Sequence, residues 1–227
     1  MDTQIIGVDT PSISSMGDSG LVFDAGHVPE ISVQQRIWAL EAAIRSVEGV
    51  CETLVGMSNL LVVYDPLIVD AETMKSVLFD CWTASTDVVI EGRTLEIEVE
   101  YGGDEGPDLG LVAEHAGLTE AEVIRLHSSA RYRVFAVGSS PGFGYLSGLP
   151  HQIATPRRST PILRTEPGSV MIGGAQTGVT NTSGPTGWYV IGRTRRRLFN
   201  PFAENPCELA AGDHIVFLDS RSKDANT

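Results

Sequence analysis

The sequence predicts an α+β domain followed by a mainly β barrel, and two observations carry that prediction. Up to about residue 91 the hydrophobic pattern runs strand, helix, strand, strand, helix, strand, the order of a split βαβ, ferredoxin-like unit. After the strand at Arg131–Val137, short apolar runs are broken by Gly and Pro at intervals of about 8–12 residues, the spacing of a small all-β barrel. The charge divides as well: residues 1–130 hold 23 acids and 5 bases, and residues 131–227 hold 6 acids and 11 bases.

Taken in order, the chain opens with an irregular leader to about Gly26, in which the turn Gly17-Asp18-Ser19-Gly20 precedes a strand at Leu21-Val22-Phe23. Val33, Ile37, Leu40, Ala43, Ile44 and Val47 then fall at helical spacing, with Ser32 as N-cap and Gly49 as terminator. Strands follow at Cys51–Val55 and Asn59–Tyr64, the latter closed by Asp65-Pro66. A second helix spans about Ala71 to Trp82, and a strand near Asp87–Glu91 closes the first domain, residues 1–91.

The second domain, residues 92–219, starts with a half-buried strand in which Leu95, Ile97, Val99 and Tyr101 alternate with Glu96, Glu98 and Glu100. A short helix at Asp108–Ala116 and another opened by the capping box Thr119–Glu122 and running through His127 precede a strand at Arg131–Val137. Further strands are expected at Val170–Ile172, Trp188–Arg193, Leu198–Phe199 and His214–Leu218, and residues 220–227 read as a disordered polar tail.

Composition narrows the function classes. A net charge of −13 with 42% hydrophobic residues is that of a soluble globular protein, and the acidic first part argues against nucleic acid. The first residues lack the basic and apolar regions of a secretory signal, and the apolar run Leu60–Tyr64 is too short to span a bilayer, so no membrane association is expected. Cys51, Cys81 and Cys207, an odd number without a CxxC pair, are read as buried thiols in a reducing cytoplasm. The histidines, His27, His115, His127, His151 and His214, show no zinc-ligand spacing, so no metal is expected. Neither a Walker A loop nor a dinucleotide fingerprint is present.

The stretch Ser139–Arg197 differs from the rest: dense in Gly, Pro and Arg, with Glu166 its one acid. Turns fixed by Gly and Pro that carry Arg, Gln, Thr, Tyr and Trp make a binding surface. Arg157 and Arg158, with Arg164 beyond them, offer planar guanidinium forks for a carboxylate-like anion, or brace the barrel. Gln176 and Thr177, flanked by Gly174 and Gly178, are read as ligand-facing. Phe143 and Tyr145 either line a pocket or fill the barrel end, and Trp188 is read as core. His127 is a general base or a structurally satisfied histidine. Arg195, Arg196 and Arg197 read as an exposed face, with partner docking the lesser reading. No complete catalytic set is visible, so an enzyme built on this chain takes part of its active site from elsewhere.

Pro141-Gly142-Phe143-Gly144-Tyr145-Leu146, Gly148-Leu149, Pro156-Arg157-Arg158, Gly174-Ala175-Gln176-Thr177-Gly178, Gly187-Trp188, Ile191-Gly192-Arg193-Thr194, Leu198-Phe199 and Gly212-Asp213 occur in one order, with Leu61–Pro66 and Val123–His127 upstream. In these motifs the chain resembles the family of the 5-oxoprolinase B subunit, allophanate hydrolase subunit 1 and the sensor-kinase inhibitor KipI. It departs from the family's pattern at Ser139-Ser140, Ile162, Thr165-Glu166-Pro167, Thr180-Asn181 and Gly184-Pro185-Thr186. The resemblance implies a cyclophilin-like form for the barrel. It also implies a subunit of a heteromeric amide-processing enzyme that acts with a KipA-like protein, similar to allophanate hydrolase subunit 2. ATP enters at the level of that complex, or biotin through a partner where the reaction is a carboxyl transfer. A KipI-like regulator of a histidine kinase is the alternative. Peptidyl-prolyl isomerase activity rests on the barrel alone.

Overall fold

The structure, a computed structural model, describes residues 10–26, 30–86 and 89–221. The chain forms two compact units, residues 1–91 and 92–227. In the first, strand β1 (Ser12–Ser15) and β2 (Gly20–Asp24) form a hairpin whose turn holds Gly17 at φ +67°. Helix α1 (Ile31–Ile44) leads to β3 (Val50–Val55) and β4 (Asn59–Tyr64), and helix α2 (Ala71–Ala84) begins at Asp70, whose side chain accepts from the Thr73 amide. The sheet is antiparallel in the order β1-β2-β4-β3.

Alternation along β4 buries Leu60, Val62 and Tyr64 in one cluster with Ile37, Leu40 and Ile44 of α1 and Met74, Leu78 and Trp82 of α2. Each large side chain removed from water in this way contributes about 1.5–3 kcal/mol. The buried Gln34 accepts from the Ser58 amide and donates to the Gly56 carbonyl, which ties α1 to the β3–β4 turn.

Several expectations are corrected in this unit. Part of the irregular leader is β1, a polar strand that pairs with β2. The closing strand is not formed by residues 89–91, and residues 87–88 lie outside the described residues, as does His27. Strand β1 flanks β2 on the side away from β4, so the sheet still has four strands. Helix α1 starts from Glu30 rather than Ser32. Cys51 is exposed on β3 and Cys81 half-buried on α2; in the second unit Cys207 is exposed in a loop.

The second unit is a closed barrel. Its strands are β5 (Thr94–Tyr101), β6 (Tyr132–Val137), β7 (Gly144–Ser147), β9 (Ser169–Gly173), β10 (Gln176–Val179), β12 (Tyr189–Arg193) and β13 (His214–Asp219), ordered β10-β7-β6-β13-β5-β12-β9 and closed by β9 against β10. The pairings are antiparallel except that of β13 with β5. The expected strand at Leu198–Phe199 is a single bridge between Phe199 and Cys207.

Alternation places Leu95, Ile97, Val99 and Tyr101 inside and the three glutamates outside. Helices α3 (Leu109–Ala116) and α4 (Glu120–Ser129) contribute Leu109, Val112, Val123 and Ile124 to the same core. The capping box at Thr119 and Glu122 forms in both directions. Outside the barrel, β8 (Ile162–Thr165) and β11 (Gly184–Thr186) pair as a two-stranded ribbon.

Closure depends on backbone approaches that a side chain would block. Gly192 pairs with Tyr101 on one side and Val170 on the other, and a Cβ there lies 2.7 Å from Val99 Cγ1 and 2.8 Å from the Glu100 carbonyl oxygen. Gly192→Ala is therefore expected to destabilise the protein by about 1–3 kcal/mol, read as a lower urea midpoint at unchanged slope. An unchanged midpoint means that β5 yields without cost.

Candidate functional site

Arg157 is fixed from both sides by backbone. Thr155 exchanges two hydrogen bonds with Gly174 (3.2 and 2.7 Å), and the Arg158 amide donates to the Gly187 carbonyl at 2.8 Å. Gly174 holds φ +66° in the two-residue turn between β9 and β10, a conformation that suits glycine. The segment between these anchors carries Pro156 and Arg157 past the ring of Trp188, with the guanidinium carbon 5.4 Å from the ring centroid.

That geometry opens a cleft of about 440 Å³. Phe143, Tyr145, Trp188 and Met171 form its apolar floor; the Phe143 ring meets Tyr145 at 4.9 Å and Trp188 at 5.7 Å, both edge to face. Its walls are hydroxyls: Ser139 and Ser140 from the β6–β7 turn, Thr165 and Thr186 from the ribbon, and Thr180 and Thr182 after β10. Among the described residues no acid lines it, and Arg157 is its one cation. Arg157 makes no ion pair among the described residues. Ser139 holds φ +59° without being glycine, a strained conformation at the lip. The arrangement suits a small planar anion: rings for its faces, hydroxyls for its polar edges and a guanidinium for its charge.

The structure brings together Phe143, Tyr145 and Arg157 from the expected set and places the others elsewhere. Arg158 is a brace: its guanidinium pairs with Asp108 and stacks 4.3 Å over Tyr189, while Asp108 also accepts from the Val190 amide at 2.8 Å. Arg164 is exposed on β8 and pairs with Glu166 at 3.1 Å. Gln176 opens β10 at the hairpin turn, half-buried and outside the cleft lining. Thr177 points into the barrel core, since strand alternation turns it away from the surface that its glycine neighbours suggest. Trp188 is both core and cleft floor.

His127 is fully buried among Tyr101, Tyr132 and Phe217, away from the cleft. The Thr177 hydroxyl donates to the Met171 carbonyl at 2.9 Å, so it accepts from His127 Nε2–H at 2.9 Å, and Nδ1 accepts from the Tyr101 hydroxyl at 2.7 Å. The Tyr132 hydroxyl donates to the His127 carbonyl near the C-terminus of α4. Both ring nitrogens are satisfied in one neutral tautomer, and burial pushes the imidazole pKa down to about 3. The geometry is that of a structural histidine whose chain of bonds ends on Met171, a floor residue of the cleft.

The hydroxyl walls are the feature that residue-by-residue reading missed. Ser139, Ser140, Thr165, Thr180 and Thr186 come from four separate segments, and each is a position where the chain departs from the motif pattern described above. Those departures were the available signal. Among the described residues no cluster of three or more His, Cys, Asp or Glu is placed to hold a metal ion.

Comparison with known proteins follows the same outline. The family model for the carboxyltransferase domain, subdomain C and D, matches residues 11–209. The B subunit of 5-oxoprolinase from Escherichia coli O157:H7 is 40% identical over 210 residues, covering 91% of this chain and 94% of that protein. Its counterpart from Haemophilus influenzae is 37% identical over 207 residues, covering 91% and 97%. Among solved structures, TTHA0988 superposes with a TM-score of 0.77 at 29% identity, over 88% of this chain; the chain spans only 39% of that protein's length.

The buried imidazole sets a pH dependence. With a folded pKa near 3 against an ordinary 6.5, the unfolded chain takes up a proton in this window and the folded chain does not. Stability from this group is complete above pH 6.5 and falls as pH drops toward 3, by at most about 1.4 kcal/mol per pH unit. Urea titrations between pH 7 and 4.5 should give a flatter stability curve for His127→Gln than for the wild type. Parallel curves would show that the folded protein protonates His127 freely.

Proposed function

From the premise that the chain belongs to the family of carboxyltransferase subdomains C and D, together with the 5-oxoprolinase B subunits, we propose that it is one subunit of a heteromeric, ATP-dependent amide-processing enzyme. Its cleft binds a small carboxylate-bearing amide of the 5-oxoproline type. The observation that carries this reading is Arg157, among the described residues the one cation of the cleft and without an acid partner, beside aromatic rings and hydroxyls. A flat lactam lies against Phe143, Tyr145 and Trp188, its carboxylate on the planar guanidinium and its amide edge on the Ser and Thr hydroxyls.

The division of labour follows from what the cleft contains. An amide is stable in water, and ATP supplies the driving force for opening it. Among the described residues the cleft lining holds no His, Cys, Asp, Glu or Lys for proton transfer. In this reading the chain binds and orients the substrate, and a second protein of the KipA type brings the acid–base groups and completes the site, so that the chain is inactive alone. Free thiols at Cys51, Cys81 and Cys207 suit a reducing cytoplasm. One observation favours docking on a sensor kinase as a second reading: the loop at Pro201-Phe202 holds a phenylalanine ring that is 95% exposed.

Co-expression with a KipA-like protein, size exclusion, and separate assays of ATP-dependent turnover of 5-oxoproline and urea test the proposal. Arg157→Ala is expected to lower kcat/KM about tenfold or more with the complex intact, the loss of one charge-assisted contact of about 1.5–3 kcal/mol. Arg158→Ala instead lowers stability by leaving the buried Asp108 unpaired. Wild-type turnover by Arg157→Ala sinks the assignment of the cleft, and a chain that neither binds the partner nor supports turnover favours the kinase reading.

A further inference from the structure

A second concavity of about 490 Å³ lies behind the cleft wall, lined by Pro167, Gly168, Asn181, Phe199 and the run Arg193–Arg197. It shares no lining residue with the aromatic cleft. The segment Thr180–Thr182 is the partition, because Thr180 and Thr182 face the cleft and Asn181 faces the groove. The base is close-packed backbone: the Gly168 amide donates to the Thr180 carbonyl and the Thr194 amide to the Gly168 carbonyl, and a Cβ on Gly168 would lie 2.2 Å from the Thr194 oxygen.

Part of the charge of this groove is paired within the fold. Arg193 pairs with Glu105 at 2.9 Å, and Arg196 pairs with Glu208 and donates to the Glu96 carbonyl at 2.8 Å. Arg195 and Arg197 are exposed and make no ion pair among the described residues. Glu96, Glu98 and Glu100 of β5 line an adjoining groove that shares Arg193, Thr194, Arg195 and Arg196 with this one, so Arg195 faces carboxylates on that side, whereas Arg197 does not line it; among the described residues no acid lines the arginine groove itself. Two guanidinium forks without an ion pair among the described residues, in a pocket of small-molecule size with the half-buried ring of Phe199 at its edge, match an extended polyanion with a flat group attached.

We propose that this arginine groove is a second anion site, which takes the oligophosphate chain of a nucleoside di- or triphosphate on Arg195 and Arg197. Asn181 links it to the cleft: its Nδ2 donates to the Pro141 carbonyl at 3.4 Å, and its Oδ1 accepts from the Leu198 amide at 3.3 Å. Pro141 belongs to the turn that carries Ser139 and Ser140 at the cleft lip. A ligand in the groove therefore bears on the wall of the substrate cleft without entering it.

Calorimetric titration of the whole chain with ATP and with inorganic tripolyphosphate tests this without reference to turnover, so that its outcome is separate from that of the cleft assignment. The expected result is saturable ATP binding, displaced by tripolyphosphate, weakened about tenfold or more in Arg195→Ala/Arg197→Ala and unchanged in Arg157→Ala. Both groove arginines are exposed, and an unchanged thermal midpoint of the double variant verifies its fold. The proposal is overturned by absence of binding, by undiminished affinity in the double variant, by loss of affinity in Arg157→Ala instead, or by citrate displacing ATP as well as tripolyphosphate does.

Discussion

The barrel closes around one buried chain of hydrogen bonds, from the Tyr101 hydroxyl through the His127 imidazole and the Thr177 hydroxyl to the Met171 carbonyl. It joins β5, α4 and the β9–β10 hairpin, which are distant in sequence and must meet for the barrel to exist. Buried polar groups of this kind are tolerated only when every donor and acceptor is matched, and a mismatch is costly in a low-dielectric interior. Here the direction of each bond is fixed by the last one, so a single imidazole tautomer fits. The two-residue turn at Gly174 sets the register of β9 and β10, and the hydrogen-bond chain holds that hairpin, and with it Met171, against α4 and β5.

The cleft depends on that register and on close backbone approach. A Cβ on Gly173 would meet the Trp188 ring at 2.5 Å, and one on Gly178 the Phe143 ring at 2.8 Å, so the floor aromatics lie directly on glycine backbone. Neighbouring arginines thereby acquire opposite duties. Arg158 is drawn back to Asp108 and Tyr189, inside the wall, while Arg157 stays at the opening. A buried pair such as Asp108 with Arg158 specifies geometry more than it adds stability.

The first unit needs none of these devices. Its core is apolar and built from regular alternation and helical spacing, with Gln34 the fully buried polar side chain that links α1 to the β3–β4 turn. Residues 1–91 hold 14 acids and 3 bases, residues 92–227 hold 15 acids and 13 bases, and the arginine-rich run lies in the barrel unit. The two units thus separate tasks by composition: one is a conventional hydrophobic layer, the other a loop-rich scaffold for polar recognition.

Periodicity and turn chemistry are legible without any structure. The alternation at Leu95–Tyr101 places β5 and its inner face, the capping box at Thr119 starts α4, and the Gly and Pro spacing makes the rest short strands of a barrel. The ordered motifs from Pro141 to Asp213 carry the family. Which polar residues share a space is settled only when the chain is folded. Arg157 and Arg158 are indistinguishable in sequence, and only the position of Asp108, fifty residues earlier, separates them. Thr177 reads as a loop residue between glycines, yet strand alternation in a closed barrel turns it inward to His127. The hydroxyl wall is assembled from segments that are local neighbours only after closure. Local pattern is a property of adjacent residues, whereas a cleft is a property of contacts between distant ones, and the hydrogen-bonded closure of the sheet settles those.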